Sequence, residues 1–490
     1  MSRPAVVLTG CRVYTSFNPP KTYDAIAWKD GFVVGLGTEE VGALNGDWKV
    51  FNMAGKAVIP AMTDHHIHFV EYAAADEFID LRGVKTKAEL LTRVRMSKQD
   101  GMVYGAGWDD SIIDSIPSAS ELESASGGRP VFLERVCGHL GLASTSALKI
   151  LQRYDVDPFL MDRDGGGNPT GVVRERAVEL LRRHIPKPGP DRLRALILKG
   201  QERLFSYGLG GLDVIAMDGE YLRTLAMLKV KKDIRMDIRC FIVPELMESL
   251  PALSEAGVLA GLKVFVDGSL GGGTAALRQP YSDRPGRGLL RESRSSILKY
   301  LEICDSLGLE IAFHAIGDEA VQTVLDAVED YGGFMGVRIE HASMMDDEMI
   351  ERAARLGVTL SVQPMFAVSD RWLRERVGER FWMCYRWKSM LEKGCSVVAG
   401  SDAPVETPNP FHGLWAAVHG HINPDERVDI TQALEMYLPK GATGQELLAH
   451  GSKASLVALD RDPLTCGPEN LKDVRVVMTV KDGEIVYSSL

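Results

Sequence analysis

The sequence predicts an α/β protein whose main part is a (β/α)8 TIM barrel. Between about residue 190 and residue 440, seven short runs rich in β-branched residues alternate with amphipathic helical stretches, a pattern typical of parallel βα units. Similar short runs also occur at both ends of the chain. The chain has 490 residues, whereas such a barrel needs about 250. We therefore expect a small β-sandwich domain formed by both termini and a large insertion after the first barrel strand.

Seven of the barrel strands are predicted from these runs, and they are 209–215, 235–243, 261–267, 309–314, 336–341, 358–363 and 395–402. The helical stretches are 192–206, 219–231, 245–256, 292–307, 317–330, 345–356 and 384–393. Because a closed barrel of this kind has eight strands, the apolar run AVIPAM at 57–62 is the candidate for the first strand. The insertion that follows has a mixed character from which no fold is predicted.

The two ends of the chain predict short strands that share one pattern, and these are 5–14, 24–28, 32–36, 455–459, 474–480 and 484–488. Each end also contains a Lys-Asp-Gly turn, at 29–31 and at 481–483. Since an isolated hairpin buries too little surface to be stable, we expect both ends to form one domain. The predicted division lists 1–56 and 441–490 as the composite β-domain, 57–75 and 189–440 as the barrel, and 76–188 as an insertion domain that contributes to the substrate pocket.

Composition excludes several classes of protein. A hydrophobic share of 45% and a charged share of 25% are ordinary for a globular chain and argue against disorder. The net charge of −11, without a basic stripe, argues against binding to nucleic acid. Seven scattered cysteines without a C-x-x-C pair predict a reducing compartment. Without a signal peptide or a long apolar run, we expect a cytoplasmic protein that binds no membrane.

Histidines and one aspartate mark the ends of several predicted barrel strands. His66 and His68 follow the first strand, and residues two apart on an extended segment point the same way. His314, His341 and Asp402 close the fifth, sixth and eighth strands. Because the active sites of such barrels lie at the carboxyl ends of the strands, these five residues predict a metal site.

Lys263 lies inside the fourth predicted strand, where burial of an ammonium is expensive unless it is paired or chemically altered. Asp267 shares its face of the strand and is a candidate ion-pair partner. In the alternative, Lys263 points outward beneath a helix and keeps its ammonium in solvent.

Eight motifs carry a resemblance to a known family, and they are Pro60-x-x-x-Asp64-x-His66-x-His68, Gly107-Trp108-Asp109, Gly138-His139, Pro169-Thr170-Gly171 with Glu175, Lys263-Val-Phe-Val-Asp267-Gly-Ser, His314-Ala-Ile-Gly-Asp318, Ile339-Glu340-His341 and Gly400-Ser401-Asp402-Ala403-Pro404. Together they resemble the amidohydrolase superfamily over nearly the whole chain. The closer resemblance is to the amidohydrolase family 3 branch, which contains N-substituted formamide deformylase-like metal-dependent hydrolases.

The resemblance implies a metal centre with two divalent ions per chain, usually Zn²⁺. In such a centre His66, His68 and Asp402 bind one ion, and His314 and His341 bind the second. A carboxylated lysine at the position of Lys263 bridges the two ions. Carboxylation turns a buried cation into an anionic ligand with two oxygens, so it would also remove the cost of burying the ammonium.

The resemblance further implies hydrolysis of a carbon–nitrogen bond, in an amide, a formamide or a cyclic amide, by a metal-activated hydroxide. Asp402 is then the general base, and His341 is the second residue assigned to catalysis. The positions expected to bind substrate are Trp108, Asp109, His139, Glu175 and Asp267. The glycine-rich segment from Gly268 to Gly288 is interpreted as a flexible lid over the metals.

Two alternatives stay open at this point. The first is a mononuclear zinc deaminase that acts on a cyclic amidine, with His66, His68, His314 and Asp402 as ligands and Lys263 unmodified. The second is a non-catalytic barrel kept as a scaffold, which the complete set of ligand residues disfavours. We expect a small-molecule substrate as the partner, and a homodimer is left open.

Overall fold

The computed structural model describes residues 5–110, 112–136, 138, 140–174, 176–333 and 336–490. The chain divides into two compact units, one formed by Met1–Tyr72 with Ile197–Leu490 and the other by Ala73–Leu196. Within the described ranges, no helix combines the length and the apolar character needed to cross a bilayer.

The described residues contain 22 strands. Those before the second unit are β1 (Val6–Phe17), β2 (Pro20–Lys29), β3 (Phe32–Leu36), β4 (Lys49–Asn52), β5 (Ala57–Pro60) and β6 (Met62–Ile67). The second unit contains β7 (Ile79–Asp80), β8 (Val103–Trp108), β9 (Val131–Arg135), β10 (Leu140–Ala143), β11 (Met161–Arg163) and β12 (Pro169–Arg174). The strands after it are β13 (Leu209–Ala216), β14 (Asp237–Ile242), β15 (Leu259–Phe265), β16 (Glu310–Ala315), β17 (Val337–His341), β18 (Thr359–Val362), β19 (Ser396–Ala399), β20 (Leu456–Leu459), β21 (Val476–Lys481) and β22 (Glu484–Ser488).

The α-helices of the described residues vary from one to five turns in length. They are α1 (Thr38–Gly42), α2 (Phe69–Ala74), α3 (Lys87–Met96), α4 (Ala119–Ala125), α5 (Thr145–Leu151), α6 (Arg176–Arg182), α7 (Pro190–Ser206), α8 (Gly219–Val230), α9 (Leu250–Glu255), α10 (Arg294–Leu307), α11 (Asp318–Tyr331), α12 (Asp347–Leu356), α13 (Phe366–Ser369), α14 (Leu373–Val377), α15 (Trp387–Glu392), α16 (Pro410–Trp415) and α17 (Ile430–Met436).

A parallel barrel of eight strands forms the centre of the first unit, in the order β19-β18-β17-β16-β15-β14-β13-β6. A helix of the set α7, α8, α9, α10, α11, α12 and α15 precedes each strand from β13 to β19. The seam between β6 and the segment after β19 is joined by hydrogen bonds from Asp402 N to His66 O, at 2.6 Å, and from His68 N to Ala403 O, at 2.9 Å. The predicted α/β barrel is therefore confirmed as a nearly closed parallel barrel.

The first barrel strand is β6, and the prediction of 57–62 for it is wrong. Residues 57–60 form β5, which pairs with β1 and β20 in another sheet. The chain changes sheets within two residues, because Ala61 N bonds to Ser455 O at 3.0 Å and Met62 N bonds to Gly208 O at 3.1 Å. A continuous apolar run shows no alternation that would assign it to one sheet, so only the pairing partners decide its place.

Both termini contribute strands to one eight-stranded sheet, with the order β22-β21-β20-β5-β1-β2-β3 and with β4 paired to β1. The predicted Lys-Asp-Gly turns connect β2 to β3 and β21 to β22. In these turns Asp30 and Gly31 have φ of 52° and 96°, and Asp482 and Gly483 have φ of 48° and 82°, which is the left-handed pair of a two-residue hairpin. The arrangement of this sheet as a two-layer sandwich stays a prediction.

The second unit contains a mixed sheet in the order β11-β12-β10-β9-β8-β7. Strands β7, β8 and β9 are parallel, whereas the other pairs are antiparallel. Trp108 lies within an apolar core of this unit, together with Leu90, Leu122 and Leu133. The unit is a few residues longer at each end than the predicted insertion at 76–188. The predicted division of the chain into three domains stays a prediction.

The two hairpin turns pack against each other, which gives a test of the composite sheet. A Cβ on Gly483 would lie 2.5 Å from Gly31 Cα, whereas a Cβ on Gly55, at φ of 75°, would meet nothing within 4 Å. Gly55→Ala then carries only the left-handed backbone cost of roughly 1–2 kcal/mol. We expect Gly483→Ala to lower the free energy of unfolding by about 1–3 kcal/mol more, because it adds an overpacked contact.

Chemical unfolding of the two variants beside the parent chain measures this difference. Equal losses for Gly483→Ala and Gly55→Ala would contradict the packing of the two turns.

Candidate metal centre

The six predicted ligands all lie at the carboxyl ends of barrel strands or inside the barrel. His66 lies on β6, His314 on β16 and His341 on β17, while Lys263 lies within β15. His68 follows the end of β6, and Asp402 follows β19. The four histidines and Asp402 share the rim because parallel strands of a barrel all end at the same face.

Three of these residues have donor atoms close enough to share one ion. One ligand atom each of His66, His341 and Asp402 lies within 4.8 Å of the others, and all three residues are buried. Asp402 Oδ1 also lies 3.4 Å from His66 Nε2 and 3.2 Å from His68 Nε2. The ring of His314 extends the cluster, since its centroid is 4.5 Å from that of His341.

Backbone strain accompanies two of the candidate ligands. His341 and Asp402 have φ of 74° and 57°, and Ala342 has φ of 44°. A residue with a side chain is rarely found in this left-handed region, and such residues cluster at functional sites. The left-handed residue changes the direction of the backbone at the end of each strand. Its side chain therefore no longer follows the alternation of the strand.

Each of three histidine rings is held through one nitrogen and leaves the other one available. His66 Nδ1 donates to Glu340 Oε2 at 2.5 Å, and His341 Nδ1 donates to Gln363 Oε1 at 2.7 Å. His314 Nε2 donates to the carbonyl oxygen of Gly268 at 3.0 Å. Metal-binding histidines usually donate their second N–H in this way, which orients the ring and its tautomer. The donor set therefore fits a divalent metal.

Lys263 points into the barrel, so the outward alternative is wrong. Its side chain is fully buried, and Nζ has no hydrogen-bond partner among the described residues. Burial lowers the pKa of Lys263 to about 8, although Glu340 and Asp402 act in the opposite direction. The expected ion pair with Asp267 is absent from the described contacts. The Asp267 carboxylate instead accepts N–H groups of Ala276, Ile316 and Gly317 at 2.8–3.1 Å.

The pKa of Asp402 and the pKa values of His314 and His341 are all lowered in the cluster, for different reasons. Burial raises the pKa of Asp402, but the rings of His66 and His68 outweigh it and hold the pKa well below the ordinary value. Burial lowers the pKa of His314 to about 3 and that of His341 well below its ordinary value. The lowered pKa values keep His314 and His341 neutral, which is the protonation state in which histidine binds metal. Burial and Lys263 lower the pKa of His66, but Glu340 and Asp402 outweigh them and raise it above its ordinary value.

Sequence reasoning missed the groups that orient the ligands. Gln363 and the carbonyl of Gly268 had no role assigned, and Glu340 was quoted in a motif without one. A signal existed for the pair Arg338 and Glu340, because alternation places residues two apart on the same face of a strand. Two opposite charges on one face of a buried parallel strand are unusual, since such strands are largely apolar.

The predicted substrate-binding residues lie in different surroundings, and two of them fall outside the described residues. Trp108 is fully buried in the second unit, where its Nε1 donates to Leu133 O at 3.0 Å. Asp109 pairs with Arg135 at 3.0 Å. His139 and Glu175 lie outside the described residues. The assignment of these four residues and of Asp267 to a substrate pocket stays a prediction.

The segment from Gly268 to Gly288 is held at several points, and its role as a flexible lid stays a prediction. Arg278 donates to Asp318 at 3.0 Å and to Asp346 at 2.6 Å. A Cβ on Gly288 would lie 1.9 Å from the carbonyl oxygen of Ala275. Glycine at 288 therefore permits two backbone segments to approach closely, and this contact needs no loop flexibility.

Comparison with known proteins agrees with this geometry. The profile of the Amidohydrolase family matches residues 49–487. YtcJ of Bacillus subtilis (strain 168), which is named as an amidohydrolase, is 28% identical over 97% of this chain and 98% of its own. The N-substituted formamide deformylase of Arthrobacter pascens is 28% identical over 93% of both chains. The crystal structure of a metal-dependent hydrolase from Pyrococcus furiosus is 33% identical, with a TM-score of 0.78, and covers 94% of this chain and 100% of its own.

Removal of one converging donor atom is expected to weaken metal binding. We expect His341→Ala and Asp402→Ala each to weaken the affinity for Zn²⁺ by more than about 100-fold, because each deletes one donor atom of the cluster. The matched control is His419→Ala, since His419 is an exposed histidine of the same unit. Titration of metal-free protein with Zn²⁺ against a coloured chelator measures the affinity. Parental affinity in His341→Ala would show that His341 is no ligand.

Proposed function

Because the chain belongs to the amidohydrolase family, it is a metal-dependent hydrolase, and we propose that it hydrolyses a carbon–nitrogen bond in a small amide, formamide or cyclic amide. The observation that carries this proposal is the buried cluster of His66, His341 and Asp402, whose donor atoms lie within 4.8 Å of one another. The rings are oriented by Glu340 and Gln363, so the cluster is built for a ligand. The formamide class is the first to test, because the Arthrobacter pascens relative is named for that substrate.

In the proposed centre two Zn²⁺ ions are held by separate groups of residues. His66, His68 and Asp402 would hold one ion, and His314 with His341 would hold the other. The buried amine of Lys263, which has no hydrogen-bond partner among the described residues, would bridge them after carboxylation by CO₂. When bound, such ions polarise a carbonyl group and lower the pKa of water towards about 7.

Asp402 is the residue proposed to move the proton. Its low pKa keeps it a carboxylate at neutral pH, so it can accept a proton from the attacking water and deliver it to the leaving nitrogen. The backbone bond from Asp402 N to His66 O holds it beside the cluster. His341 contributes to catalysis through its fixed ring, which Gln363 orients.

The proposed setting is the cytoplasm, and the proposed partner is a small molecule. Support comes from the cysteines, because the six within the described residues are all free thiols, namely Cys11, Cys240, Cys304, Cys384, Cys395 and Cys466. Free buried thiols are typical of reducing compartments.

The metal count separates the proposed hydrolase from the deaminase alternative. Two zinc ions per chain, with activation by bicarbonate that Lys263→Arg abolishes, are expected for the bridged centre. Metal analysis of the purified protein and assays with and without bicarbonate measure both properties. One ion per chain and no response to bicarbonate would favour the mononuclear deaminase of a cyclic amidine.

Asp402→Asn tests the proton-transfer role with a panel of N-formyl and N-acyl compounds. At saturating Zn²⁺ we expect kcat to fall by about 10²–10⁴-fold, because the amide cannot accept the proton. Asp305→Asn is the matched control, since Asp305 is exposed on α10 and bonds to Tyr331. Near-normal turnover by zinc-loaded Asp402→Asn would refute the assignment of Asp402 as the base.

A further inference from the structure

Three charged side chains lie wholly inside the barrel below the candidate metal centre. Asp213 on β13 is 1% exposed, and Arg338 and Glu340 on β17 are fully buried. Charges in a protein interior cost free energy even when they are paired, and apolar residues of similar size often serve stability equally well. Their position therefore calls for a role other than packing.

Arg338 is the centre of this group and bonds in three directions. Its Nε donates to Glu340 Oε1 at 2.9 Å, and its Nη2 donates to the carbonyl oxygen of His65 at 2.7 Å. Its Nη1 donates to Asp213. The guanidinium also lies 4.7 Å from the ring centroid of Phe241. Since the donors of a guanidinium have a fixed planar geometry, these contacts together fix the position of the Arg338 side chain.

Two of these contacts converge on His66. Glu340 uses one oxygen for Arg338 and the other for Nδ1 of His66, at 2.5 Å. The bond from Arg338 to His65 O holds the backbone of β6 immediately before His66. Arg338 thus determines the position of the His66 backbone directly and the orientation of its ring through Glu340.

Asp213 binds Nη1 of the Arg338 guanidinium and makes two further contacts. Besides Arg338, its carboxylate contacts His65 Nδ1 at 3.0 Å and Arg239 Nη1 at 3.3 Å. The arginine therefore cannot swing away from Glu340 without losing a second buried partner, which would leave an unpaired charge in the interior.

We propose that Asp213, Arg338 and Glu340 form a positioning relay that fixes the Nδ1–H of His66 and aims its Nε2 at the metal. The inference rests on the proposed function, because it needs a metal at this rim. The carboxylate of Glu340 also makes His66 a more basic ligand, as outer-shell carboxylates do in metal sites. The three residues are positioning residues, since among their described side-chain hydrogen bonds His66 is the one candidate ligand that they contact.

Glu340→Gln and Arg338→Lys test the relay, with Zn²⁺ alone as the probe and metal-free protein as the starting state. Glutamine loses the charge and offers one acceptor oxygen for the two donors that Glu340 serves, His66 Nδ1–H and Arg338 Nε–H. Lysine loses the planar guanidinium of Arg338. We expect each variant to bind Zn²⁺ about 10–100-fold more weakly, as for other outer-shell substitutions. Thermal unfolding of the metal-free proteins records any separate effect on stability.

A second buried arginine supplies matched controls. Arg352 is 9% exposed and bonds to Asp326 at 2.7 Å and to Glu329 at 2.8 Å, between α11 and α12. Arg352→Lys and Glu329→Gln make the same chemical changes in an arginine–carboxylate cluster that has no described contact with a candidate ligand. We expect their affinity for Zn²⁺ to equal that of the parent chain.

The results of the Zn²⁺ titrations distinguish a failure of the relay from a failure of the proposed function. Parental affinity for Zn²⁺ in both Glu340→Gln and Arg338→Lys, with only their unfolding temperatures lowered, would overturn the relay and leave the proposed function standing. If Arg338→Lys does not fold, the isosteric variants Glu340→Gln and Asp213→Asn decide the matter by the same titration. Failure of the parent chain to bind Zn²⁺ would overturn the proposed function and the relay together.

Discussion

The hydrogen bond from Asp402 N to His66 O, at 2.6 Å, joins the two ends of the barrel sheet at the point where the candidate metal centre lies. Several contacts secure this seam. Asp64 accepts from Ser401 N at 2.9 Å and from His66 N at 3.1 Å, and a Cβ on Gly400 would lie 2.3 Å from His66 N. Because this seam holds His66 and Asp402 side by side, the first and last strands can contribute ligands to one ion.

The interior of the barrel differs from the layers of branched aliphatic side chains that usually fill such a fold. Asp213, Lys263, Arg338 and Glu340 occupy it, and all are almost completely buried. Three of them bond to one another, whereas Lys263 Nζ has no partner among the described residues. This contrast agrees with the two proposals above, in which the paired charges would orient His66 and the amine of Lys263 would be carboxylated.

Much of the fold followed from local pattern. The alternation of strands and helices predicted β13 to β19 within a few residues, because each βα unit contains its own periodic signal. The Asp-Gly turns predicted two hairpins, because that dipeptide adopts the left-handed pair that such turns need. The run 57–62 was assigned to the wrong sheet, since an apolar stretch fits either one. The mixed sheet of the second unit was not predicted. Two of its pairs, β9 with β10 and β11 with β12, join neighbouring strands, but the other pairs join segments farther apart in the chain, which local periodicity does not reveal.

The sequence by itself determined which residue types stand at the ends of the barrel strands, and with the topology that was enough to name the candidate metal-binding rim. It also placed Lys263 on a buried strand, but it left open whether the side chain points into the barrel or outward beneath a helix. Only the tertiary structure decided that this amine points inward, that Asp267 is occupied by backbone N–H groups, and that Arg338 and Glu340 connect to His66. These facts depend on distances between strands far apart in the chain, and local periodicity carries no information about such distances.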